Sequence, residues 1–518
     1  MNSFQEKLLN AYNLSIEDYD NMTRNLIFND LEDPLRFLNI EKAVDRIKLA
    51  IKNNEKVTIY GDYDCDGFTS TSIMVKVFKI LHFDVKFYIP SRYKDGYGLN
   101  HDNAVKLVQN GFKLVILVDN GISLNEEVSY LTSNGVDVLI FDHHEMGESL
   151  PNAYAIVHPF LKVDGSKLPQ CAAYVCFNVS RLVLGYVDPY LMVLGGIGTI
   201  SDMMSLISYN RIIVRLTIEA MKINKYPNFE YLLEGKTFND ENDISFTISP
   251  KLNSLGRMIE DNKVNDGVRF LISEDIFEIR KKGYTILETN KLRKSLTSSI
   301  VQSLSLDEVK NDLVYVLYIP HIKEGLIGII ANKIMLENNV PTICFTDGEE
   351  GILKGSARSL NGFPLNEVFA SLSQYLLTYG GHALSGGLSI KKEDLESFKI
   401  AINDLCKGRI LTPNEEVNIE VNKEELNLEN YNFLQTLRPF GQDYKEPYFI
   451  VKCPTNIIYP LKNIHIKGVL TSCLSFIGFN MQINHQYEYG YLKGKIELNT
   501  FKNNQSLQLK ISEINYKN

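Results

Sequence analysis

Val57-Thr58-Ile59-Tyr60-Gly61-Asp62-Tyr63-Asp64-Cys65-Asp66-Gly67-Phe68-Thr69-Ser70-Thr71 is the stretch from which the rest of the chain can be read. An apolar, β-rich run stops in three acids at alternate positions. A glycine follows, then a run of hydroxyls that opens an amphipathic segment, Ile73 to Leu81. The pattern predicts a buried strand, a tight loop and a helix. Acids at i, i+2 and i+4 beyond a strand's carboxyl end can converge on one point in the crevice above a sheet. Carboxylates that close repel one another unless cations sit between them. Cys65 should point away from the acids, because side chains alternate in extended backbone. Taken alone, DxDxDG reads equally well as an Asp-rich turn, so the neighbouring stretches decide.

Those stretches repeat the design. Val85–Pro90 reads as a second strand and runs into Ser91-Arg92-Tyr93-Lys94-Asp95-Gly96-Tyr97-Gly98-Leu99, a loop with Arg, Lys and two glycines. Leu114–Val118 is apolar and ends in Asp119-Asn120-Gly121; Asp137–Phe141 ends in Asp142-His143-His144-Glu145. Apolar strands separated by helical patterns make a parallel, doubly wound α/β sheet buried on both faces. Ligand-type residues stand at the strand ends where such folds bind ligands. A further acid, Asp202, follows a hydrophobic helix; by itself it reads as a helix cap. Aspartates and histidines, with no cysteine among the donors, suit Mn²⁺ or Mg²⁺ better than zinc.

In this order DYDCDG, VDNGIS, FDHHE and GTISD resemble the four motifs of the DHH phosphoesterase superfamily. The flanks IPSRYKDGYGL, LPNAYAIVHP and GTISDMMSL to Asn210-Arg211 are similar to the RecJ-type exonucleases, which degrade single-stranded DNA from the 5′ end. So are PKLNSLGRM, EGLIGIIANKI, KGSARSLNGF and YGGHALSGG further on. The resemblance covers roughly residues 40 to 450. It implies a two-metal centre: Asp64 on one ion, Asp66, His143 and Asp202 on the other, Asp119 as the bridge, and Asp62 on the first ion directly or through water. Asp142 and His144 would orient ligands or the scissile phosphate. No protein nucleophile is required. Arg92, Arg257, Ser356, Arg358 and His382 would donate to phosphate oxygens, with Gly380 and Gly381 offering backbone N–H groups; Asn253 reads as structural. A lone arginine would read as a surface ion pair; its place in a motif is what gives it the phosphate role. The chain departs from the family at Ile322-Lys323-Glu324-Gly325, where many members have Trp-His before the glycine; His321 is out of register. It also reads Asp443-Tyr444-Lys445-Glu446-Pro447 in place of the usual GNPEP.

The resemblance and the patterning together set the expected domains: a helical segment over 1–45, the DHH domain over 46–215, a helical linker over 216–309, the DHH-associated α/β domain over 310–408, and an oligonucleotide-binding β-barrel over 409–518. Leu292, Leu296, Ile300 and Leu304 fall at i, i+4 spacing on a long helix joining the two α/β domains. The second domain carries strands at Leu313–Ile319 and Thr342–Thr346. The last 100 residues alternate short β-like runs.

Composition is ordinary for a globular protein of several domains: 518 residues, 44% hydrophobic and 23% charged. The seven cysteines are scattered without a CxxC pair, which suggests neither a disulfide framework nor zinc. Neither a signal-peptide core nor a bilayer-spanning run is visible, so the expected location is the cytoplasm, away from membranes. The net charge of −9 is uneven: residues 455–518 hold seven lysines against three glutamates, +4, leaving −13 for the remainder. There Lys462, Lys467, Lys493, Lys495, Lys502 and Lys510 interleave with Phe476, Phe479, Tyr487, Tyr489 and Tyr491, a composition suited to single-stranded DNA or to a solvated barrel. The expected activity is a metal-dependent 5′ exonuclease on single-stranded DNA in recombination and repair. The rivals are a DHH phosphodiesterase for short oligoribonucleotides or cyclic dinucleotides, and a catalytically inactive binding module. Whether a helicase or single-strand-binding protein assists is left open.

Overall fold

Five strands build the first sheet: β1 (Val57–Tyr60), β2 (Lys86–Tyr88), β3 (Leu114–Val118), β4 (Asp137–Phe141) and β5 (Ala155–Val157). All neighbours are parallel, in the order β2-β1-β3-β4-β5. The computed structural model describes every residue except 413–415, 463, 483–485, 502–503 and 518, so Lys502 lies outside the described residues. β1 and β3 are buried throughout, as strands covered by helices on both faces must be. The chain reverses its direction of winding between β1 and β3, so the crevice at their carboxyl ends is the topological switch point.

The helix after β1 begins sooner than the periodicity predicts. It spans Cys65–Ile80, with Asp64 as its N-cap accepting from the Gly67 N–H at 3.0 Å. The hydroxyl run therefore lies inside the helix rather than ahead of it. It is tolerated there because Thr69, Ser70 and Ser72 donate to the carbonyls of Cys65, Gly67 and Phe68.

The chain divides into two compact units. One comprises Glu32–Met204 and Leu216–Asn414. It holds the first sheet and a second, mixed sheet of β6 (Tyr315–Tyr318), β7 (Thr342–Asp347), β8 (Ile352–Arg358), β9 (Leu376–Gly381) and β10 (Ser385–Lys391), ordered β6-β7-β8-β10-β9. A 28-residue helix, Ile276–Ser303, joins them, as expected. Of its predicted apolar face, Ile300 and Leu304 pack into the second domain, while Leu292 and Leu296 face solvent.

The other unit comprises Met1–Leu31, Ser205–Arg215 and Glu415–Asn518. The observed grouping keeps a break at 215 but places the first one after Leu31 rather than at 45, and it puts Ser205–Arg215 with this unit rather than with the first sheet. Aromatic packing is the reason: Phe4 stacks on Phe449 with ring centroids 5.5 Å apart, and Tyr12 on Tyr444 at 4.7 Å. Arg211 lies over the Tyr444 ring and donates to the carbonyls of Leu437 and Pro439. The sheet of this unit has seven strands, β11 (Asn418–Glu420), β12 (Tyr448–Pro454), β13 (Tyr459–Leu461), β14 (His465–Thr471), β15 (Leu474–Phe479), β16 (Tyr489–Phe501) and β17 (Asn504–Lys517). They run in the order β11-β12-β16-β17-β15-β14-β13. Because Phe4 and Phe449 are both buried, Phe4→Ala should lower the stability of this unit by about 3–5 kcal/mol. A calorimetric unfolding transition unchanged from the parent protein would contradict the assignment of the N-terminal helices to it.

Candidate metal centre and phosphate pocket

Each acidic motif sits just past the end of an element. Asp62 and Asp64 follow β1, Asp66 lies in the first turn of the next helix, Asp119 follows β3, and Asp142-His143-His144 follow β4. Asp202 caps the carboxyl end of helix Pro189–Ser201. Asp119 has a left-handed backbone, φ +60°, a region that Asp adopts more readily than most non-glycine residues.

The side chains converge in two carboxylate-rich groups and a third that overlaps both. Ligand atoms of Asp62, Asp64 and Asp119 lie within 4.8 Å of one another, so do those of Asp66, His143 and Asp202, and so do those of Asp119, Asp142, His143 and His144. Asp119 links them, its Oδ1 standing 3.2 Å from His143 Nε2; Asp202 Oδ2 is 3.5 Å from the same nitrogen. Burial, then repulsion from Asp64, pushes Asp62 up to about 8 and Asp66 up to about 6. Asp119 and Asp202 are raised well above the carboxylate range by burial and then by Asp66. Oδ1 of Asp62 and Oδ1 of Asp119 are buried with no hydrogen-bond partner. A divalent cation in each group would satisfy these oxygens and relieve the repulsion, so the residues present fit two ions. His143 is driven down to about 3 by burial and by the charge of His144, and is therefore the neutral imidazole a metal requires.

Asp142 has a different job. It accepts from the N–H groups of His143 (2.7 Å), His144 (3.2 Å) and Ile122 (2.9 Å), and from His144 Nδ1 (2.8 Å). Although buried, it is held below the usual carboxylate range, chiefly by His144. Burial of His144 opposes its charge, yet Asp142 overcomes this and raises it to about 9. His144 thus carries a proton at neutral pH beside the carboxylate cluster.

The cationic half of the site belongs to the same unit. Arg92 lies over the Tyr63 ring at 4.2 Å, with a buried Nε that has no hydrogen-bond partner among the described residues; Glu324 is 3.9 Å away and the charge of Asp62 also reaches it. Arg257 Nη1 donates to the Gly325 carbonyl, and Arg358 Nη1 to Ser356 Oγ and the Ala357 carbonyl. Burial and the charges of Arg92, Arg358 and Arg293 lower Arg257 to about 10. Guanidiniums gathered with so little carboxylate make a pocket for an anion. Gly328 faces it closely: a Cβ there would stand 2.8 Å from Ser356 Oγ and 3.1 Å from Arg358 Nη2.

Comparison with known proteins fits this geometry. The chain matches the DHH family N-terminal domain over residues 56–191, the DHHA1 domain over 311–408 and the RecJ OB domain over 417–513. It is 31% identical to the single-stranded-DNA-specific exonuclease RecJ of Haemophilus influenzae, covering 93% of this chain and 91% of that protein. The chain belongs to the RecJ family. The Bacillus subtilis RecJ is 32% identical over 93% of this chain, which spans 64% of that longer protein. Thermus thermophilus RecJ in complex with Mn²⁺ shares the fold over 99% of the chain and 78% of that chain, with a TM-score of 0.84 at 22% identity. A second RecJ structure, bound to manganese, covers 72% of this chain and 96% of its own, with a TM-score of 0.62 at 26% identity.

Of the residues expected from sequence, Asp62, Asp64, Asp66, Asp119, Asp142, His143, His144 and Asp202 come together in the crevice. Gly380 and Gly381 do not form a loop. They end the exposed edge strand β9 and pair with Gly387 and Gly386 of β10. His382, exposed beside them, lies 3.7 Å from Glu145. Asn253 is structural in a specific way, accepting from the Cys65 N–H at 2.7 Å. Lys323, in the family's histidine position, pairs with Glu260 and lies 5.1 Å from the Tyr93 ring centroid.

Sequence reasoning missed the residues that hold Asp66. Its oxygens accept from the Ala172 and Ala173 N–H groups at 2.7 and 3.0 Å, and a Cβ on Gly198 would fall 2.6 Å from Oδ1. It missed His158 too, which donates from Nε2 to the His144 carbonyl. The histidine of LPNAYAIVHP was the available signal.

Two outcomes follow. Gly198→Ala should displace Asp66 and cut Mn²⁺ affinity by about 10–100-fold, measured by calorimetric titration; wild-type affinity would contradict the packing. The folded, metal-free protein holds protons on Asp62 and Asp66 that the unfolded chain releases between the ordinary carboxylate range and about 8. Its stability therefore falls as pH rises through that window. Thermal melts without metal should show this loss, and Mn²⁺ should restore more stability at the upper end than at the lower. A metal-free melt that rises with pH would contradict the cluster's electrostatics.

Proposed function

We propose that the chain is a metal-dependent exonuclease that hydrolyses phosphodiester bonds of single-stranded DNA from the 5′ end, in cytoplasmic recombination and repair. The observation that carries this reading is the pair of carboxylate groups, one holding Asp119 and the other reached from Asp119 through His143 at 3.2 Å, set in one unit with a cluster of arginines. Asp62, Asp64 and Asp119 would hold one ion and Asp66, His143 and Asp202 the other, with Asp119 shared. Two Mn²⁺ or Mg²⁺ ions, when bound, supply an activated water and neutralise charge on the reacting phosphate. The residues around them bind and orient. Asp142 fixes the plane of His144, whose proton is available to a phosphate oxygen. Arg92, Arg257, Arg358 and Ser356 offer donors to a terminal phosphate, which carries more charge than an internal one.

The C-terminal sheet supplies a second surface for the strand. Tyr489, Tyr491, Lys493 and Lys495 alternate with buried Leu492 and Ile496 along β16 and so share its outer face. Lys452 of β12 lies 3.9 Å from the Tyr489 ring centroid. Phe476, in contrast, is core. Lys493, Lys495 and Lys510 already pair with glutamates, so stacking on the tyrosines carries more of this reading than lysine charge does. An enzyme confined to single strands needs another protein to open duplexes. A helicase or a single-strand-binding protein is the partner class that fits.

Single strands labelled at the 5′ or 3′ end, incubated with Mn²⁺, Mg²⁺ or EDTA, test the reading. Expected are metal-dependent release of label from the 5′ end first, and none with EDTA; cleavage only of dinucleotides would favour a short-oligonucleotide phosphodiesterase instead. Asp119→Asn should abolish turnover, and near-normal rates at saturating Mn²⁺ would sink the shared-ligand assignment. Arg92→Ala or Arg358→Ala should slow 5′-phosphorylated strands more than 5′-hydroxyl strands. Equal losses on both would mean that these arginines hold internal phosphates or the fold.

A further inference from the structure

The connection between β5 and helix Ala172–Leu184 is irregular, yet it is tied down at many points. The segment 32–38 straps it: Leu38 N–H donates to the Leu161 carbonyl and Val163 N–H to the Arg36 carbonyl, both at 2.9 Å. Arg36 also reaches Asp164 at 2.5 Å and Ser166 Oγ at 3.1 Å. Beneath this strap lies a buried polar trio, to which the strap's Arg36 adds an ion pair with Glu32 at 3.1 Å. The Lys162 ammonium donates to Glu32 Oε1 at 2.6 Å and to Gln170 Oε1 at 2.9 Å, and Gln170 Nε2 donates to Glu32 Oε2 at 2.7 Å. Glu32 and Gln170 are fully buried, and Lys162 nearly so.

Such a trio is a poor way to add stability, since a buried ion pair pays a desolvation cost that apolar packing avoids. It is a good way to fix one conformation. What it fixes is two residues away: Cys171 caps the helix, and the next two N–H groups, Ala172 and Ala173, hold the two oxygens of Asp66. The same connection carries His158, which fixes the His144 carbonyl.

We propose that Gln170, clamped by Glu32 and Lys162, is a positioning residue for Asp66 and thereby sets the affinity of the cation site that Asp66 shares with His143 and Asp202. The inference rests on the two-ion reading above. Its experiment separates the two, because the parent protein's binding of two ions is measured alongside the variants.

The probe is Mn²⁺ alone, titrated into full-length protein and followed by calorimetry and by the electron paramagnetic resonance signal of the free ion. Gln170→Met keeps the side-chain volume and removes both hydrogen bonds. It should weaken one of the two Mn²⁺ sites by about tenfold or more and leave the other unchanged, with wild-type circular dichroism. A folded Gln170→Met protein that binds both ions as the parent does would overturn the proposal, whatever its melting temperature. If that variant does not fold, Lys162→Met, which removes the other tie to Gln170, is read by the same criterion. A parent protein that binds no Mn²⁺ would instead overturn the two-ion reading itself.

Discussion

Buried carboxylates that repel one another are the constraint on which this structure turns. Asp62, Asp66, Asp119 and Asp202 all have raised proton affinities because burial and their mutual repulsion disfavour the charged forms, and an oxygen each of Asp62 and Asp119 has no hydrogen bond among the described residues. A chain gains nothing in stability from such an arrangement. It persists because the strands and helices around it over-determine the positions of the acids: β1 and β3 end side by side at the switch point, and Asp119, just past β3, stands among Asp62 and Asp64 and 3.2 Å from His143. Cations are the natural counterpart, and the neutral His143 is prepared to join them.

The arginine pocket is the electrostatic mirror of the same device. Arg257 is lowered because other guanidiniums crowd it, and Arg92 keeps a buried Nε with no hydrogen-bond partner among the described residues. One half of the unit thus waits for positive charge and the other for negative charge. A phosphodiester with its divalent ions brings both kinds of charge. Between them His144 is kept protonated by Asp142, so the acid that is not a natural ligand still shapes the charge the substrate meets.

Much of this could be read from the sequence, for identifiable reasons. Apolar runs stopping at Asp62, Asp119 and Asp142 mark strand ends whatever the tertiary context, and the crevice above a doubly wound sheet does the rest. The long helix was legible as a helical pattern, although Leu292 and Leu296 of the expected apolar face are exposed. What could not be read depends on partners distant in the chain. The start at Cys65 of the helix after β1 needs Asp64 to act as a cap. Gly380 and Gly381 look like a phosphate loop until β10 pairs with them. The union of residues 1–31 with the C-terminal sheet is written in aromatic contacts such as Phe4 on Phe449, more than 400 residues apart. The holders of Asp66 are backbone amides, which leave no trace in residue identity.

Anomalous diffraction from crystals grown with Mn²⁺ tests the central claim most directly. The account predicts two manganese peaks in the crevice, one among Asp62, Asp64 and Asp119 and one among Asp66, His143 and Asp202, with the Asp119 carboxylate between them. A single peak, or peaks that leave Asp119 outside the coordination of either ion, would contradict it.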